Sequence, residues 1–115
     1  MIEMHIANRV WLFGRLKHSL QLLATQADIQ LRELPDFCHK SDQLFLSFNN
    51  WRTALAANFK SEMTADQLSC IDAIQQTFVR MGRESWTDDA VSNSLEWKKI
   101  RHLSTITLES FGWSH

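Results

Sequence analysis

The chain has 115 residues, 44% of them hydrophobic, and its 12 basic and 13 acidic side chains leave a formal net charge of -1. That length suits one domain, residues 1–115, burying a single core without a metal or disulfide staple. Mixed, balanced charge excludes a field that would steer the chain toward nucleic acid or anionic lipid, and two cysteines exclude a disulfide framework.

Turn formers are scarce: Gly14, Pro35, Gly82 and Gly112 are the only glycines and prolines. Few turns and helical apolar spacing predict an all-α fold, an up-and-down bundle of four main helices plus one short helix. From Asn8 to Leu34 apolar residues recur as Val10, Phe13, Leu20, Ala24, Ala27, Leu31 and Leu34, the spacing of one long amphipathic helix. Ahead of it, Ile2, Met4 and Ile6 read as more helix or a short arm. Leu34-Pro35 ends it, because proline pushes the preceding residue out of helical geometry.

A second helix starts between Asp36 and Asp42, with Ser41 as the cap candidate, and carries Leu44, Phe45, Phe48, Trp51, Leu55 and Phe59 on one face. Thr64 and Gln67 have capping-box spacing for a third helix, with Leu68, Ile71, Ile74, Phe78 and Met81 facing inward and Gly82 as a left-handed stop. Thr87 caps a short helix near residues 88–94, whose acids Asp88 and Asp89 suit the positive end of its dipole. Ser94 caps the last helix, on which Trp97, Ile100, Leu103, Ser104, Thr107 and Phe111 face inward until Gly112 closes it.

The first helix carries a second apolar line. At about 100° per residue, Met4, Trp11, Leu22 and Ile29 lie opposite Val10, Phe13 and Leu20, with His18 beside them. Either this helix runs through the middle of the fold or its outer face meets another molecule. His102, Ile106 and Trp113 lie off the inward stripe of the last helix and could extend the same patch. The candidate interaction surface is therefore Trp11, His18, Leu22, Ile29 and Trp113, residue types that include the tryptophan enriched at binding hot spots. Gly14, inside the first helix, is either a site of close helix crossing or bending or a tolerated surface glycine.

The densest set of potential metal ligands is Asp36-x-x-His39-x-x-Asp42 with Cys38 adjacent. It lacks the second Glu-x-x-His that bundle di-metal centres use, so helix-start acids and a solvated histidine account for it more simply than a metal-binding bundle. No Ser/His/Asp or Cys/His set can be assembled from the scattered histidines, and Cys70 beside an apolar face reads as an inert thiol. No catalytic, cofactor-binding or metal residue is assigned. Lys98, Lys99, Arg101 and His102 form a basic cluster, read as a solvated face because no aromatic ladder accompanies it. Arg101, one residue past inward Ile100, is expected to pair with Asp42 as an ion pair joining the second and last helices.

Ser41-Asp42-Gln43-Leu44 followed by Phe48, Trp86-Thr87-Asp88-Asp89-Ala90, and Glu96-Trp97-Lys98-Lys99-Ile100-Arg101 give the segment from Pro35 to Phe111 a resemblance to small all-helical bacterial proteins. Some of these act as immunity or antitoxin-like partners of toxins. The chain departs from the pattern at Gln43, where an acid is expected beside Asp42. The resemblance implies a non-enzymatic protein that occludes a protein partner and carries no catalytic residue. The expected partner is thus a protein, a toxin or a second copy of the chain, not nucleic acid or membrane, with a self-associating structural domain as the alternative. Met1-Ile2-Glu3-Met4-His5 lacks the basic and apolar regions of a secretion signal, and Val10-Trp11-Leu12-Phe13 is far shorter than a membrane span, so a soluble protein of the reducing cytoplasm is expected.

Overall fold

Helical apolar spacing, with only three glycines and one proline to interrupt it, leaves the backbone little alternative to helix. In a computed structural model, which describes residues 2–35 and 39–113, with side chains from residue 8, the helices are α1 (Ile2–Ala24), α2 (Ala27–Glu33), α3 (Lys40–Phe59), α4 (Ala65–Val79), α5 (Asp88–Asn93) and α6 (Leu95–Ser110). Two 3-10 turns, Lys60–Glu62 and Arg83–Ser85, complete the set, and no strand occurs among the described residues. The fold is an all-α bundle of four long helices with two short ones. α1 packs on α3 and α6, and α6 also packs on α4 and α5.

The core follows the predicted stripes where packing is densest. Leu44, Phe48, Leu55 and Phe59 of α3, Ile71, Ile74 and Phe78 of α4, and Trp97, Ile100 and Leu108 of α6 are buried together. Phe78 is the hub of an aromatic cluster, with ring centroids 4.9 Å from Phe45, 6.0 Å from Phe48, 6.0 Å from Trp86 and 5.5 Å from Trp97. Trp97 is 0% exposed, and its indole Nε1–H donates to the Ser85 carbonyl at 2.8 Å, so burying the ring leaves no polar atom unmet there.

α1 departs from its predicted stripe. Its buried residues are Leu12, Leu16, Ser19, Leu20 and Leu23, whereas Val10, placed inward from sequence, is 61% exposed. Phe13 flanks this stripe on one side and Trp11 and Leu22 on the other, so one broad face is buried rather than two opposite faces. The helix therefore lies at the periphery of the bundle. Gly14 is exposed, and a Cβ added there would meet nothing within 4 Å, so it permits no close crossing.

The single helix expected from Asn8 to Leu34 is interrupted at Thr25-Gln26, where Gln26 is extended (φ -64°, ψ 149°). Gln30, 0% exposed, makes the break possible. Its Nε2 donates to the Leu22 and Leu23 carbonyls at 3.0 Å each, meeting two acceptors orphaned at the end of α1. Its Oε1 accepts from Arg101 Nη1 at 3.1 Å, and the same nitrogen donates to the Val91 carbonyl near the end of α5 at 2.8 Å.

The expected Asp42–Arg101 ion pair is therefore not formed. Arg101 faces neutral oxygens on α2 and α5, while Asp42 is exposed in the first turn of α3, where a carboxylate complements the dipole. Burial pulls the Arg101 guanidinium below its usual pKa, yet an arginine so placed stays charged at neutral pH.

Helix ends elsewhere combine expected and unexpected solutions. Leu34 is extended before Pro35 (φ -102°, ψ 143°), and Lys40 Nζ donates to the Leu31 carbonyl at 2.7 Å. α3 starts at Lys40 with His39 flanking it, and Ser41, the expected cap, is buried inside the first turn. The Thr64/Gln67 capping box forms as expected, and Gln67 Nε2 also donates to the Ser110 carbonyl at the end of α6 at 3.2 Å. Thr87 and Ser94 cap α5 and α6. Gly82 does not supply a left-handed stop: α4 ends at Val79 with Arg80 still right-handed, and Gly82 is extended (φ -78°, ψ 171°). Gly112 does, at φ +73°, where Trp113 N donates to the Leu108 carbonyl and Gly112 N to that of Glu109.

Candidate functional site

The exposed side of α1 presents residues 11, 15, 18 and 22, which helical spacing aligns in one row. Trp11 is 54% exposed, yet it is held: its ring meets that of Trp51 on α3 edge-on, with centroids 5.2 Å apart and planes at 87°. Arg15, one turn along, lays its guanidinium over the other ring of the pair, 5.1 Å from the Trp51 centroid. The result is a built platform of two indoles and a cation, with attraction between ring edge, ring face and guanidinium fixing the geometry.

Arg15 also borders a groove of about 490 Å³ between α1, α2 and α3, lined by His18 and Leu22 of α1, Ile29 of α2, and Gln43 and Ser47 of α3. His18 is exposed, while Leu22 and Ile29 are half-buried. Four of the five residues singled out in the sequence, Trp11, His18, Leu22 and Ile29, thus lie on one continuous face. That face mixes apolar Leu22, Ile29 and Leu34 with polar side chains including the buried Ser19, and carries the cation Arg15 and the acid Glu33.

Trp113 belongs elsewhere. Its ring stacks on Phe111 (centroids 4.3 Å apart, planes at 8°) and meets Phe13 at 6.3 Å. Phe13 is about 200° around α1 from Trp11, so Trp113 borders a separate depression with Arg9, Glu62 and Gln67. The left-handed turn at Gly112 is what sends the chain back toward α1. Arg15 and Trp51 were missed as members of the face. Trp51 was read as core because its spacing fits the α3 stripe, and Arg15 carried a signal only in lying four residues after Trp11.

His39 and Asp42 are both exposed near the start of α3; Asp36 and Cys38 lie outside the described residues. Among the described residues no three of His, Cys, Asp and Glu converge as a metal-binding group. Cys70 is a half-buried free thiol on α4. Lys98, Lys99 and His102 are exposed, separated from Arg101 by the turn of α6. No helix among the described residues is long and apolar enough to cross a membrane. Comparison with protein-family profiles, with characterised proteins and with solved structures finds no significant match.

Proposed function

We propose that this chain is a non-enzymatic interaction module that docks a protein partner on the outer face of α1 and acts by occlusion, as an immunity-like protein does. The observation that carries this reading is the exposed Trp11 packed edge-on against Trp51, over which Arg15 lies. A large ring already immobilised loses little entropy on binding, and tryptophan and arginine are the residue types most enriched where binding energy concentrates. The adjoining groove offers apolar contact through half-buried Leu22 and Ile29 and a cation in Arg15, which suits a partner presenting an apolar side chain beside an acid.

The test is capture of the partner from the native host, followed by binding of the purified pair. Trp11→Glu should weaken the complex by at least about thirtyfold, the size of a hot-spot loss, with helicity by circular dichroism unchanged. Light scattering on the isolated chain decides the identity of the occupant. A dimer that Trp11→Glu dissociates would replace the heterologous partner with a second copy. Undiminished binding by the variant would remove this face from the interaction.

A further inference from the structure

α3 and α4 meet through aromatic rings at one end, Phe45 and Phe48 against Phe78, and their contact is otherwise sparse. Toward the turn that joins them, the facing residues are aliphatic and smaller, and the seam opens into a hollow of about 270 Å³. Leu16, Leu55, Met63, Leu68 and Ile71 make its apolar walls, with the exposed Ala56 at its rim. Its size falls just below the range of roughly 300–1,000 Å³ usual for small-molecule sites, so a compact ligand fits it.

Three charged residues line the hollow: Arg52 of α3, Lys60 of the 3-10 turn and Asp72 of α4. Arg52 is half-buried and anchored, its Nη2 donating to Asn49 Oδ1 at 2.7 Å. A guanidinium held beside an apolar hollow is suited to a carboxylate. Asp72 pairs with neither cation within ion-pair distance among the described residues. Two cations against one acid leave an excess of one positive charge, which favours an anion over a neutral ligand.

We propose that this hollow binds a small amphipathic monocarboxylate, its carboxylate on Arg52 and Lys60 and its apolar tail against Leu16, Leu55 and Ile71. The site shares no residue with the face that carries Trp11, so it stands or falls apart from the partner-docking reading.

Calorimetric titration of the full chain with octanoate, 1-octanol and octyl phosphate tests it. Octanoate should bind saturably at one site, at least about tenfold more tightly than 1-octanol, which keeps the tail and lacks the charge. Octyl phosphate, whose headgroup is bulkier than a carboxylate in a hollow of about 270 Å³, should bind more weakly than octanoate. Arg52→Gln should cost octanoate about tenfold in affinity, and Ala56→Phe, which narrows the mouth of the hollow, should weaken it by a similar factor; Trp11→Glu should leave it unchanged. Absence of saturable octanoate binding, equal binding of 1-octanol, or octanoate binding undiminished by both Arg52→Gln and Ala56→Phe would each overturn the proposal. Should Ala56→Phe fail to fold, the comparison of octanoate with 1-octanol on the unaltered chain still decides it.

Discussion

Arg101 is held by amide and carbonyl oxygens rather than by a carboxylate, and this changes what its removal costs. Arg101→Ala leaves Gln30 Oε1 and the Val91 carbonyl without their donor, so unfolding in urea should show a loss of about 1–3 kcal/mol. Asp42→Asn, at an exposed position, should change stability by no more than about 0.5 kcal/mol. The pH response separates the two arrangements as well. For a base whose folded pKa is lowered, the penalty of keeping it charged is constant below that pKa and is relieved only as pH climbs through it toward the usual arginine value. This site therefore contributes no slope between roughly pH 5 and 9, whereas an Asp42–Arg101 pair would lose stability as pH fell through the carboxylate range. The sequence placed Arg101 correctly near the core, because it follows Ile100, but its partner Gln30 is 71 residues away and neutral, with no charge signal to mark it.

At the scale of the helix, local chemistry was legible and tertiary chemistry was not. Thr64 with Gln67, Thr87, Ser94 and Gly112 all act where spacing put them, because a cap is decided within a few residues. The interruption at Thr25-Gln26 had no such signature. Apolar spacing runs through it from Ala24 to Ala27, and the acceptors it frees are met by Gln30, whose burial depends on α5 and α6. Gly82 misled for the opposite reason: a glycine after a helix is often left-handed, but here α4 has already ended at Val79 and a 3-10 turn begins. Two glycines give opposite expectations. Gly14→Ala removes backbone freedom from an exposed helical position with open space around it and should stabilise by about 0.5–1 kcal/mol. Gly112→Ala forces a side chain into left-handed geometry and should cost about 1–2 kcal/mol. Thermal melts of the two variants should move in opposite directions.

In the whole molecule, α6 takes the place once open to α1: it packs on α1, α4 and α5, while α1 is left with a free outer side. Periodicity could show that α1 had apolar residues on more than one side, but it could not choose between a central helix and a docking face, since both read identically in one dimension. The clustering of Trp11, His18 and Leu22 follows from helix spacing and was visible; the inclusion of Ile29, which lies beyond the break on α2, and of Trp51, and the departure of Trp113, depend on how separate helices meet. The contrast between Trp97 at 0% exposure and Trp11 at 54% has an optical consequence. The part of the emission lost in Trp11→Phe should be red-shifted and quenched by acrylamide in the native chain, while the part lost in Trp97→Phe should be blue and survive until the bundle opens. A collisional quencher, read by difference against these two variants, thus follows two events: shielding of the outer indole when something settles on it, and exposure of the inner one when the fold is lost.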